Sequence, residues 1–205
     1  MSRLSHWTLG AALLALVLPA GASAFAADDI EQKVQLCATC HGADGMPINN
    51  TTPVIWGQDE GYLYLQLRDF KRGTRKNAIM EPIASQFEKE DMYAIAAYFT
   101  KKPWPDLKQP PAPGDVAAKA ESAAKSIGCR GCHLDHFQGD GTTARLAGQW
   151  QEYLLSQMLA FRDGSRGNNP GMSDLMKATP EEDFEPLSKY LAGLRIDQYL
   201  GHGGR

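Results

Sequence analysis

The sequence predicts an all-α protein made of two small domains in tandem, and three observations carry that prediction. The chain repeats itself at an offset of 91 to 92 residues. Its apolar residues recur at helical spacing, with no alternating strand among them. A proline-rich stretch separates the two repeats. Cys37 corresponds to Cys129. Gly57-Gln58, then Tyr62-Leu63, corresponds to Gly148-Gln149, then Tyr153-Leu154. Phe70 with Arg72-Gly73 behind it corresponds to Phe161 with Gly164 and Arg166 behind it, and Tyr98 to Tyr190. A chain of 205 residues is long enough for two such units.

The first element is an export signal over residues 1–27. Arg3 is the positive start, Leu9 to Leu18 the apolar core, and Ala22-Ser23-Ala24 and Ala26-Ala27 the small residues before cleavage near 24 to 27. At about 1.5 Å per residue that core reaches only part-way through a bilayer. No cysteine lies near the cleavage point to take a lipid, and no later stretch is apolar enough to span. The mature chain is expected in the periplasm, without stable membrane insertion.

The first domain, 28–102, opens with a helix over 30–37. A second helix carries Leu63, Leu67 and Phe70 at i, i+4 and i+7, and a third covers 89–100. Residues 103–114 form a linker stiffened by Pro103, Pro105, Pro110, Pro111 and Pro113. The second domain, 115–205, repeats the plan. A helix over 116–126 comes first, and Leu154, Met158 and Phe161 mark the second. A third covers 180–194, opened by a capping box at Thr179-Pro180-Glu181-Glu182 with proline at the first helical position.

The chemistry lies in two pentapeptides, Cys37-Ala38-Thr39-Cys40-His41 and Cys129-Arg130-Gly131-Cys132-His133, which use all four cysteines. C-x-x-C-H is the attachment pattern for c-type haem. Two thiols one turn apart can each form a thioether to a haem vinyl group, and the adjacent histidine offers its imidazole to iron. Such attachment takes place outside the bacterial cytoplasm, which agrees with the export signal. The alternatives are a Cys₄ zinc site and a disulfide framework. The 88 residues between the pairs are far more than zinc ribbons use, and four cysteines are few for a disulfide scaffold of this length. Two covalent haem c groups are expected.

Met80 follows His41 by 39 residues, and Met172 follows His133 by 39. Both fall in the loop between the second and third helices, 18 residues before Tyr98 and Tyr190. A thioether suits the sixth position of a low-spin haem iron. His41, Met80, His133 and Met172 are therefore the expected axial ligands. The alternative is ordinary core methionines. Met176 is the rival in the second half. Met46 is too close to His41 to reach across a ring, Met92 and Met158 fall within helices, and His136 reads as a loop residue.

Removing residues 1–27 takes away Arg3 alone from the charge count. That leaves 20 basic against 24 acidic residues, a net of −4. No basic stripe dominates, so nucleic acid is not an expected partner. Arg68, Lys71, Arg72, Arg75 and Lys76 cluster before Met80. They read either as a patch that steers an acidic partner or as a solvated helix end.

On these residues the chain resembles the class I cytochromes c, and within them the dihaem cytochrome c4 type. The carrying segments are Cys37 to Gly45, Gly57-Gln58 with Tyr62-Leu63, Arg72-Gly73 to Met80, and in the second half Cys129 to His133, Leu146 to Gln149 with Tyr153-Leu154, and Met172. The resemblance implies two tandem class I cytochrome c domains with closely packed haems of histidine and methionine ligation. It implies that the Pro53 carbonyl accepts the N–H of His41. The second half departs from the family at two places: Leu134 stands where Gly42 does, and Ala144 where Pro53 does. The expected role is electron carriage between redox partners such as a terminal oxidase, cytochrome bc1 or a periplasmic dehydrogenase, with no catalysis of its own. The alternatives are a permanent electron-accepting subunit, as in flavocytochrome c sulfide dehydrogenases, and a dihaem enzyme such as a thiosulfate dehydrogenase or a peroxidase.

Overall fold

The computed structural model describes residues 22–195, with side chains from residue 29. Most of the expected export signal lies outside the described residues, as do residues 196–205. Among the described residues the chain is helical with no strand. Its elements are α1 Ala22–His41, α2 Glu60–Lys71, α3 Met80–Ala84, α4 Lys89–Thr100, α5 Gly114–Ile127, α6 Arg130–His133, α7 Gln151–Asp163, α8 Pro170–Ala178 and α9 Phe184–Ala192. No helix among them is long and apolar enough to cross a membrane.

Each half builds its own core. In the first, α2 packs on α4 and α3, and α1 packs on α4. The shared interior includes Val34, Leu63, Leu67, Phe70, Ile95 and Phe99. In the second, α5 packs on α9, and α7 on α8 and α9. The equivalent interior includes Leu154, Met158, Phe161, Phe184 and Leu187. The i, i+4, i+7 stripes of α2 and α7 are thus the buried faces the sequence predicts. At ~25 cal/mol per Å², each large side chain so buried contributes roughly 1.5–3 kcal/mol.

Several expectations need correction. The first helix continues through the haem motif to His41 instead of ending at 37. In the second half, Gly128 takes a left-handed φ of 83° and ends α5, so the motif there forms its own turn, α6. The loops expected to hold Met80 and Met172 contain α3 and α8. No capping box forms at Thr179. Its hydroxyl donates back to the Leu175 carbonyl at 2.8 Å, and Pro180 precedes a 3₁₀ turn, Glu181–Asp183, before α9. The capping box occurs instead at Glu88 and Asp91, at the start of α4.

Residues 103–113, between α4 and α5, form an extended strap along the second half. The Gln109 side chain donates to the Gln149 carbonyl at 2.9 Å and accepts from Gln151 N–H at 3.0 Å. The loop before α2 is tied to α4 by Gly57 N–H donating to the Phe99 carbonyl at 2.8 Å. The loop before α7 is tied to α9 by Gly148 N–H donating to Leu191 at 2.9 Å.

Candidate haem sites

The last turn of α1 presents Cys37, Cys40 and His41 together, and α6 with its N-cap presents Cys129, Cys132 and His133. Both histidines are buried, 8% and 7% exposed. His41 Nδ1 donates to the Pro53 carbonyl at 2.8 Å, as the resemblance implied. His133 Nδ1 donates to the Ala144 carbonyl at the same distance. The second half needs no proline there, because a backbone carbonyl belongs to any residue. Burial holds both imidazoles below the ordinary histidine pKa, only partly offset by the carbonyl bond. Each ring is therefore neutral at pH 7, with its proton on Nδ1 and its Nε2 lone pair available to a metal.

The four cysteines are free of disulfide bonds. Burial pushes the Cys37 thiol up to about 11 and raises Cys129 as well. These are protonated thiols in apolar surroundings, unlike the lowered thiols of nucleophilic cysteines. Among the described residues, no group of three or more His, Cys, Asp or Glu side chains converges to hold a metal ion.

One continuous cavity of about 890 Å³ runs through both halves. Its lining includes Cys37, Cys40, His41 and Met80 on one side, and Cys129, Cys132, His133 and Met172 on the other. The expected site residues are all brought to it. Met176 also lines it and is more deeply buried, one turn from Met172 on α8. His136 does not line it.

Both methionine backbones are fixed by an asparagine three residues earlier. Met80 N–H donates to Asn77 Oδ1 at 2.9 Å, and Met172 N–H to Asn169 Oδ1 at 3.1 Å. The sequence reading missed both bonds, of which the one from Met172 to Asn169 is the N-cap of α8. Their signal was an Asn-x-x-Met spacing present in both halves.

The larger omission lies between the halves. Arg75 and Arg166, each 7% exposed, meet in an isolated antiparallel bridge. Arg75 donates to Gln66 at 2.8 Å and, across the interface, to Tyr153 at 2.9 Å and Gln157 at 2.8 Å. Arg166 donates to Gln157 at 2.8 Å and, across the interface, to Tyr62 at 3.3 Å and Gln66 at 3.0 Å. Each guanidinium also lies over its own half's aromatic ring, Phe70 at 4.6 Å and Phe161 at 4.3 Å. The counterpart of Arg166 is thus Arg75, not Arg72.

Of the basic cluster expected before Met80, only Arg75 leaves the surface, while Lys71, Arg72 and Lys76 stay exposed. Arg75 is interior, Arg68 pairs with Asp69 at 2.7 Å, Lys71 with Glu88 at 3.0 Å, and Lys76 with Glu81 at 3.4 Å.

The two buried guanidiniums bring positive charge to the cavity lining, and the buried carboxylate there, Asp69, is already engaged by Arg68 and by Asn168 at 2.9 Å. Burial disfavours ionisation of the Tyr62 phenol, but Arg166 and Arg75 outweigh it and lower its pKa. An apolar cavity with net positive walls, paired thiols and neutral imidazoles fits haem, a flat apolar group that bears two carboxylates.

The cytochrome c family model matches residues 20–101. The chain is 33% identical over 213 residues to a thiosulfate dehydrogenase electron acceptor of Stutzerimonas stutzeri, covering 92% of this chain and 95% of that protein. It is 32% identical over 206 residues to cytochrome c4 of Azotobacter vinelandii, covering 89% and 98%. The crystal structure of reduced recombinant cytochrome c4 from Pseudomonas stutzeri superposes with a TM-score of 0.73 at 29% identity, over 82% of this chain and 98% of that one. Sequence, fold and cavity agree: the chain belongs to the cytochrome c4 family of electron-transfer proteins, with two cytochrome c domains and two haem c groups.

Proposed function

We propose that this is a periplasmic carrier that takes electrons from a dehydrogenase and passes them on to another respiratory partner, such as a terminal oxidase, without chemistry of its own. The observation that supports it is the shared cavity. Both Cys-x-x-Cys-His motifs and both candidate distal methionines line it, and both histidines are held at 2.8 Å by backbone carbonyls. In this reading Cys37, Cys40, Cys129 and Cys132 attach the haems covalently. His41 with Met80, and His133 with Met172, complete the two irons. The domain limits are 28–102 and 115–205, with the linker at 103–114 and the export signal at 1–27.

When bound, each haem supplies one reversible electron at its iron. The chain's own residues do the rest. The Pro53 and Ala144 carbonyls orient the imidazoles, the apolar lining excludes water, and Arg75 and Arg166 offset the haem carboxylates. Met80 and Met172 would hold the irons from the side away from the histidines and would leave no site there for a small substrate.

The reading of a dedicated acceptor for a thiosulfate-oxidising enzyme is supported by relatives of that name, 33% identical in Stutzerimonas stutzeri and 37% identical over 146 residues in Thiomonas intermedia. The experiment mixes the oxidised holoprotein with a thiosulfate dehydrogenase and with other periplasmic dehydrogenases and follows reduction of both haems. Rapid reduction by an enzyme, with no thiosulfate turnover by the chain alone, is the expected result. Turnover by the purified chain at rates typical of enzymes would overturn the carrier reading. Mass spectrometry of the mature chain should show two haems added. Met80→Ala should abolish the sulfur–iron absorption of one haem, and Met172→Ala that of the other. Loss in Met176→Ala with none in Met172→Ala would move the second ligand by one turn.

A further inference from the structure

Each proximal histidine is fixed by a peptide group, and that peptide group is itself fixed from the other half. The carbonyl that accepts from His41 is Pro53 C=O, at 2.8 Å. The N–H of the same peptide belongs to Val54, and it donates to Gln149 Oε1 at 2.9 Å. Gln149 Nε2 then donates to the Val54 carbonyl at 3.1 Å, so the carboxamide grips this residue at both ends. The arrangement is reciprocal. Ala144 C=O accepts from His133 at 2.8 Å. The N–H of that peptide belongs to Arg145, which donates to Gln58 Oε1 at 2.7 Å, and Gln58 Nε2 donates to the Arg145 carbonyl at 3.0 Å.

Both carboxamides are buried, 3% exposed, so water does not compete for these bonds. Their oxygens also accept from the next backbone N–H, Asp59 at 3.0 Å and Trp150 at 3.1 Å. Only the oxygen can accept, so the amide orientation is settled. The preceding glycines, at φ 66° and 74°, sit against Lys102–Trp104 and Trp104, where an added Cβ would approach to 2.9 Å and 3.1 Å.

We propose that Gln149 and Gln58 are crossed positioning residues. Each sets the hydrogen bond, and hence the reduction potential, of the haem in the opposite half. A peptide whose N–H donates is polarised, and its carbonyl becomes the stronger acceptor. A stronger acceptor at Nδ1 makes the imidazole the more basic ligand, which stabilises the oxidised iron. Gln149 therefore acts on the His41 haem, and Gln58 on the His133 haem. The potentials of the two domains depend on their being docked. This rests on the proposal that His41 and His133 ligate iron.

The test measures both midpoint potentials in holoprotein carrying Gln149→Leu, then Gln58→Leu. The two haems are told apart by the NMR signals of their axial histidine rings, assigned to His41 and His133 in the wild type. That assignment checks the ligand reading by itself. If other residues carry the shifted resonances, the ligand reading fails before the clamp is tested. With it in hand, Gln149→Leu should raise the midpoint of the His41 haem more than that of the His133 haem and move the His41 Nδ1–H resonance. Gln58→Leu should do the opposite. Asn168→Ala loosens the same interface without touching either peptide and should produce no crossed pattern. If Gln149→Leu does not hold its fold, Gln149→Asn keeps the amide but falls one carbon short, and the same crossed shift is expected. Equal shifts at both haems, a larger shift in the mutated half, or no shift overturn the proposal.

Discussion

Gly42 and Leu134 occupy the same place after the haem motif and share a positive φ, 88° and 66°. A Cβ at Gly42 would lie 2.2 Å from the Met46 carbonyl oxygen. Gly42→Ala should therefore destabilise the first half by about 3 kcal/mol, from backbone strain and clash together. Leu134, at φ 66° and ψ 174°, already sits where glycine alone is at ease. The residue is 37% exposed and belongs to neither buried core. Leu134→Gly should stabilise by about 1 kcal/mol, read by urea titration of the holoprotein. Asp59 offers a second test. Burial raises its carboxyl to about 6, with Arg145 opposing and Asp140 adding, and one of its oxygens is buried without a partner. The folded state then keeps a proton that the unfolded chain, at the ordinary 3.8, has released. Stability attributable to Asp59 is present at pH 4 and lost as pH rises to about 6. In Asp59→Asn, the melting temperature should lose that decline and exceed wild type above pH 6. At this scale the two Cys-x-x-Cys-His motifs stood out because their spacing is short and fixed, whereas Met80 and Met172 were proposed only because one 39-residue spacing recurs in both halves. Arg75 was misread because a positive charge in a sequence says nothing of a partner 78 residues on, Tyr153.

At the scale of elements, the halves reach one geometry by different means. A continuous helix carries the first motif and a separate turn carries the second, because Gly128 interrupts the helix. The helical periodicity of α2 and α7 announced itself, since a buried stripe must repeat every turn. The short α3 and α8 did not, because five and nine residues are too few for an apolar period to repeat clearly. Asn169→Ala should cost about 1 kcal/mol of stability, the usual worth of an N-cap. Sulfur–iron absorption in the second half should then fade at lower temperature than in the first, with Asn77→Ala reversing the order. The capping box misplaced at Thr179 has another cause: the hydroxyl found a carbonyl one turn behind it, a competing bond that sequence spacing does not reveal.

The whole molecule is held by contacts that repeat with the halves exchanged. Arg75 reaches Tyr153 while Arg166 reaches Tyr62; Gln58 grips Arg145 while Gln149 grips Val54. The duplication itself was plain in the sequence, but the interface was not, since self-similarity shows that units recur and not which faces meet. Arg166→Met should leave Gln66 and Tyr62 short of a buried donor and cost about 2 kcal/mol. Calorimetry should then resolve two melting steps where the wild type shows one. Such exchange symmetry is the mark of an isologous contact, the kind two identical subunits make about a twofold axis. A first half released from the rest of the chain carries Gln58 where the complete protein has used Gln149, and Val54 where it has used Arg145. For these four contacts a second copy could stand in for the covalently attached neighbour, although the bond from Tyr62 N–H to the Gly141 carbonyl is not repeated from Tyr153 among the described residues. The protein is in this sense built like a homodimer joined in one chain through residues 103–113, whose halves differ where Leu134 and Ala144 stand in place of Gly42 and Pro53.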